Sequence, residues 1–206
     1  MKVNNRHMYH FRPIGYYDDV WKVGNEFVVD DTFESHIKRI TCMNDTLIHV
    51  GEFNGTLATI LERHRDKEYK YLSNNEARFL FGQLERIIKN ENIMVRELAL
   101  EDFRKKYCPE LPSRFNSIWV TGKQSIKHWE RIFQKDPKYS RELLELELTG
   151  NLFKSSEDFL PDDGVSYQQS YDEAERYWKP DFTGKYDPKK VEYLFQGQVR
   201  VRGKLK

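Results

Sequence analysis

The segment Cys108-Pro109-Glu110-Leu111-Pro112 constrains this chain more than any other. Proline disfavours helical backbone at the residue before it and has no N–H to donate, so a helix arriving from the N-terminal side has to stop here. Such a helix is written into the sequence. Ser73-Asn74-Asn75 are capping residue types, Glu76 falls in the first turn, and Ala77, Leu80, Leu84, Ile87 and Ile88 recur at helical spacing. The polar run Lys89 to Asn92 predicts its end, and a second helix is expected over about 94–107. Beyond the break, Ser117-Ile118-Trp119-Val120 is strand-like, Thr121-Gly122 turns the chain, and 124–134 is amphipathic through Ile126, Trp129, Ile132 and Phe133.

The remaining segments add strands at both ends. Met8-Tyr9-His10-Phe11 reads as a short strand stopped by Pro13 and Gly15, and 23–29 as a second, closed by Asp30-Asp31. Leu143 to Leu148, between Pro137 and Thr149-Gly150, favours strand, and Asp172 to Trp178 a short helix. Val191 to Phe195 and Val199 to Arg202 predict two strands joined at Gln196-Gly197-Gln198. Residues 35–72 are ambiguous. The order is α+β, without the regular alternation of a doubly wound sheet.

Composition removes several classes. The chain has 206 residues, 34 basic against 33 acidic, with 14% aromatic content and only 11 Gly and 7 Pro, so a packed core is expected. A net charge of +1 excludes a whole-protein electrostatic grip on nucleic acid. The charge is uneven, however: residues 155–175 carry seven acids and no Lys or Arg, whereas 181–206 carry seven bases against three acids. Cys42 and Cys108 have no metal-like spacing and suggest a reducing cytoplasm, and no window is apolar enough to span a membrane. Gly-rich phosphate loops and the familiar hydrolase and zinc spacings are absent, and no metal site is expected from His7 and His10.

Three stretches carry candidate chemistry: Tyr9-His10-Phe11-Arg12 in the first strand, 112–120 with Ser113, Arg114, Ser117 and Trp119, and Val191 to Phe195 with Glu192 in an apolar late strand. A carboxylate flanked by apolar residues is costly to bury unless paired. The alternative is that Glu192 points outward from a half-exposed strand.

In that order the three stretches resemble the ADP-ribosyltransferase fold, with a His in the first strand, a hydroxyl residue in a middle strand before a helix, and a Glu in a later strand. More narrowly, the chain resembles DUF2441, a bacterial family of unknown function, through His10, Pro112-Ser113-Arg114 with Ser117, Ala174 with Tyr177-Trp178, and Glu192. Lys190 stands where protein-arginine modifiers carry Glu or Gln, so their pattern is lacking. The resemblance implies an ADP-ribosyltransferase-like split antiparallel sheet with helical insertions. The whole of 1–206 would form one domain, with a helical insertion at about 73–110.

The implied function is NAD-dependent ADP-ribosyl transfer by a toxin or defence enzyme, onto nucleic acid or protein, with an antitoxin or inhibitor protein as a further partner. Glu192 and Ser117 would be catalytic, Glu192 steadying the oxocarbenium-like ribose. His10, Phe11, Arg12, Arg114, Trp119 and Tyr193 would bind NAD, with no metal. Two alternatives stay open: NAD-dependent removal of an RNA 2′-phosphate, and a non-catalytic module using Arg200, Arg202, Lys204 and Lys206 to hold nucleic acid or an acidic partner. The enzyme reading requires His10, Ser117 and Glu192 to converge on one cleft.

Overall fold

The computed structural model describes residues 1–15, 18–42, 48–50, 53–56, 59, 62, 73–134 and 140–205. Most of the ambiguous 35–72 stretch, and Lys206, lie outside the described residues. The elements are β1 (Lys2–Pro13), β2 (Glu26–Val29), α1 (His36–Cys42), β3 (Ile48–Val50), β4 (Phe53–Gly55), α2 (Asn74–Tyr107), β5 (Ile118–Val120), α3 (Ile126–Phe133), β6 (Arg141–Ser156), α4 (Tyr167–Trp178) and β7 (Val191–Leu205). The architecture is mixed α+β around an antiparallel five-stranded sheet; β3 and β4 form a separate hairpin.

The long strands β6 and β7 are the spine of the sheet. β1 pairs with the free edge of β6. β2 and β5 lie end to end along the other edge of β7, β5 against Tyr193–Phe195 and β2 against Gly197–Arg200. A two-hydrogen-bond bridge between Tyr9 and Thr121 (3.0 and 2.8 Å) then joins β1 to β5, so the sheet curls until its edges meet.

The curl separates two cores. Inside lie Met8, Trp21, Ile118, Val120, Leu144, Leu146, Leu148, Leu152, Phe195, Val199 and Val201. Each fully buried leucine there contributes roughly 1.5–3 kcal/mol. On the opposite face, Phe153 and Leu194 meet Leu100 and Phe103 of α2 and Ala174, Tyr177 and Trp178 of α4. Trp178 Nε1 donates to the Leu100 carbonyl at 2.8 Å and Ser155 Oγ to the Tyr177 carbonyl at 2.8 Å, which ties α4 to both α2 and β6.

Several elements differ from the sequence-based expectation. One 34-residue helix replaces the two predicted over 76–107. Lys89 to Asn92 are polar but include neither Gly nor Pro, so nothing in the backbone interrupts the helix there. The helix begins in a capping box, Ser73 accepting from the Glu76 amide while the Glu76 carboxylate accepts from the Ser73 amide at 2.9 Å. It ends where expected, at Cys108 before Pro109.

β6 likewise runs through Thr149-Gly150, and β7 is one strand through Gln196-Gly197-Gln198. The reason lies across the sheet: Gly150 and Gly197 face each other, with φ of 156° and 141°. Two glycines in register let the backbones pass closely where a side chain on either would collide. Among the described residues no helix is long and apolar enough to cross a membrane.

Candidate functional site

The chemistry-bearing residues fall into two groups on opposite faces of the sheet. The first is a buried ionic cluster under α2 and α4. Ser113 caps the short 3-10 turn Arg114–Asn116, accepting from the Phe115 amide at 3.1 Å, and the turn delivers Arg114 inward. Arg114 is 3% exposed and donates to Glu97 through Nε (2.5 Å) and Nη2 (3.0 Å), and to Glu192 through Nη1 (2.9 Å). Tyr177 completes the cluster by donating its hydroxyl to Glu192 at 2.6 Å.

The guanidinium also lies over the Trp119 and Tyr177 rings, 5.2 and 4.7 Å from their centroids. Burial opposes the Arg114 charge, yet Glu97, Tyr177 and Glu192 together hold its pKa well above the usual value. Burial also pushes the Tyr177 phenol well up, so it remains a neutral donor. A second pair sits beside this one, with Arg104 bidentate to Glu101 (2.8 and 3.0 Å) and Ser113 Oγ donating to Glu101 at 3.0 Å.

The second group lies inside the curl at the end of β1. His10 is half-buried, its Nδ1 2.7 Å from the Trp119 carbonyl and its ring stacked on Trp21 with centroids 4.7 Å apart. Because a carbonyl only accepts, Nδ1 carries the proton and Nε2 is the acceptor. Burial lowers the His10 pKa to about 4, against the carbonyl bond that raises it; Arg141 and Arg12 lower it further. Arg12 is 5% exposed, bonds Glu142 through Nε and reaches Asp18 with Nη1 at 2.6 Å.

A pH dependence follows. The unfolded chain takes up a proton on His10 near pH 6.5, whereas the folded chain resists until about pH 4. Stability should therefore fall as pH drops through that window, by up to about 3 kcal/mol from this residue. Urea unfolding of wild type and His10→Asn at pH 7, 5.5 and 4 checks this. The asparagine amide can replace the Nδ1 donor without titrating, so the difference between the two proteins should change with pH. Parallel profiles would count against it.

The structure separates the residues expected to form one cleft. Glu192, Arg114 and Trp119 meet in the buried cluster. His10 lies on the other face, where Tyr193 packs against the inner core. Ile118 faces Phe195 and Val120 faces Tyr193, so Ser117 is level with Gln196, four residues along β7 from Glu192, or about 13 Å. Ser117 Oγ is fully buried and has no hydrogen-bond partner among the described residues. Phe11 packs on Phe133 of α3, centroids 5.2 Å apart.

The basic C-terminal edge is matched by acids on neighbouring strands. Arg200 pairs with Glu26, Arg202 with Glu147 and Lys204 with Glu142. Lys190 pairs with Asp158 at 2.6 Å, so the acidic 155–175 stretch and the basic edge also meet.

Sequence reasoning missed Glu97, Trp21, Asp18 and Glu142, and named Tyr177 only within the family resemblance. A signal existed for Glu97, an acid three residues before Leu100 on the stripe that α2 buries. The others have no local signature, because their partners lie on distant segments.

No curated protein matches the chain. A family model described as "Protein of unknown function (DUF2441)" matches residues 8–206, covering every element from the middle of β1 onward, and the chain belongs to that family.

Proposed function

We propose that this protein is a nucleotide-binding member of the ADP-ribosyltransferase-like architecture, that NAD or ADP-ribose is its ligand, and that the ligand sits at the His10 end of β1. The observation that carries the reading is a neutral, oriented His10 stacked on Trp21, which with Arg12, Asp18, Lys22, Glu142 and Lys204 lines a cavity of about 200 Å³. An uncharged imidazole with an acceptor nitrogen suits a ribose hydroxyl, and Arg12, Lys22 and Lys204, each paired with an acid, would exchange a carboxylate for phosphate. An antiparallel sheet with His10 in its first strand and Glu192 opening its last supports the architectural part.

The same geometry argues against ADP-ribosyl transfer through Glu192, whose carboxylate serves Arg114 and Tyr177 on the opposite face. In this reading Glu192 supports the fold and the protein binds its nucleotide without cleaving it.

Calorimetric titration with NAD and with ADP-ribose, alongside an assay for nicotinamide release, tests both halves. Saturable binding is expected, weakened about tenfold or more by His10→Ala, a loss of about 1.4 kcal/mol. Glu192→Gln should leave it unchanged, and no nicotinamide should appear. Absence of binding at millimolar ligand would refute the binding half. Nicotinamide release abolished by Glu192→Gln would instead restore the transferase.

A further inference from the structure

The turn between β1 and β2 makes two contacts on the His10 side that have the chemistry of a ligand. Its Trp21 indole lies flat over the His10 imidazole, with 22° between the planes, and meets Phe27 edge-on at 4.8 Å. Its Asp18 carboxylate takes Arg12 Nη1 at 2.6 Å and the Gly15 amide at 3.0 Å. An aromatic base could make the first contact and a phosphate oxygen the second. Both residues line the same cavity, which Lys22 and Lys204 also border.

We propose that residues 18–24 act as an internal ligand mimic: Trp21 holds the base position and Asp18 the phosphate position, and a nucleotide enters by displacing both. The inference rests on the nucleotide-binding reading above and adds how that site is regulated.

The way the segment is held fits displacement. Within 18–24 only Trp21 is buried; its neighbours on both sides are exposed. At its far end the chain is fixed to the sheet, Gly24 N donating to the Val201 carbonyl and Val201 N to the Asn25 carbonyl, each at 2.9 Å. Gly24 has φ of 93°, a conformation that glycine adopts without strain, so it can serve as a pivot between the fixed strand β2 and the turn. Lifting the turn would cost the Trp21 stack, its edge contact with Phe27 and its place in the inner core, the Asp18 bonds, and the Asn25 bonds to the Asp19 and Lys22 carbonyls, and would leave β2 paired with β7. Arg12 would keep Glu142 as a partner and exchange the Asp18 carboxylate for the incoming anion. A ligand offering only a phosphate, or only a ring, would replace one contact and not the other, so the mimic selects for molecules carrying both.

The test compares binding of ADP, inorganic phosphate and adenosine by wild type, Asp18→Asn and Trp21→Ala. Asp18 is exposed, so its variant is expected to fold even if loss of the Trp21 ring disturbs the core. Removing the competing carboxylate should tighten ADP binding by about three- to tenfold, because the fraction of binding-competent protein rises. In wild type, ADP should also shift the Trp21 indole N–H resonance, while adenosine and phosphate alone should bind more weakly than ADP.

If wild type binds ADP and Asp18→Asn binds it equally or less tightly, the mimic is refuted and the nucleotide site stands. If neither wild type nor either variant binds ADP, ADP-ribose or NAD, the nucleotide site itself fails and the mimic with it. Binding confined to the variants would support the mimic in its strongest form.

Discussion

Replacing Arg114 with methionine is expected to lower the unfolding free energy by about 3–5 kcal/mol, the usual cost of removing one partner from a buried ion pair. For a chain of this size that is a fall in melting temperature of roughly 10 °C. The physical cause is the pair of carboxylates left behind. Glu97 is fully buried and Glu192 is 6% exposed, and Arg114 is the cation that both share. Glu192→Gln should cost less, about 1–2 kcal/mol, because an amide oxygen still accepts from Tyr177 and Arg114. A triple variant with Glu97→Leu, Arg114→Met and Glu192→Leu should recover part of the loss, since apolar replacement of a whole buried ionic group is far better tolerated than its disruption. Urea and thermal unfolding of the four proteins decide the matter. An Arg114→Met protein within about 1 kcal/mol of wild type would be incompatible with the buried cluster.

The second large effect is expected at Gly197. A Cβ there would sit 2.5 Å from the Thr149 carbonyl oxygen and 2.7 Å from the Gly150 Cα, both backbone atoms of the paired strand. Backbone cannot swing aside as a side-chain end can, so β6 and β7 would have to separate locally, and the φ of 141° adds strain. Gly197→Val should therefore destabilise by about 2–4 kcal/mol. Gly203→Ala in the same strand is the control: its added Cβ meets nothing within 4 Å, and its stability should stay within about 0.5 kcal/mol of wild type. Equal unfolding midpoints for the two variants would contradict the close approach at Gly150–Gly197.

How much was legible in the sequence varies with the range of the interactions. The end of α2 at Cys108 was readable because proline acts on its own neighbour. Its start was readable because Ser73 and Glu76 cap within one turn. Its continuity through Lys89–Asn92 was not, since a polar run resembles an ending and only a backbone breaker makes one. The early half of β1 was missed for a related reason: Lys2 to His7 is polar because most of it is exposed, and the strand is held by pairing with β6. The bend expected at Gly197 became a continuous strand because Gly150 lies opposite it, 47 positions away by numbering.

The candidate site shows the same limit more sharply. His10, Arg114, Trp119 and Glu192 were all singled out from local pattern, and each makes a specific contact. Which of them share a face was not readable, because strand parity depends on register across β1, β5 and β7. Tyr9 is level with Thr121, and His10, one residue later, therefore points to the opposite side from Glu192.

Short-range preferences were enough for the class and the breaks: an α+β chain, a helix that must end before Pro109, an acidic stretch and a basic edge, and a carboxylate in an apolar strand that needs a partner if it is buried. That it is buried, and what its partner is, depend on the fold. Arg114 reaches Glu192 across 78 residues of chain, and Glu97 reaches Arg114 across 17, through a fold that closes β1 onto β5 and lays α2 and α4 over β7. Local preferences set which segments bend or extend, whereas the pairing of charges out of water depends on distances that exist only once the sheet has curled.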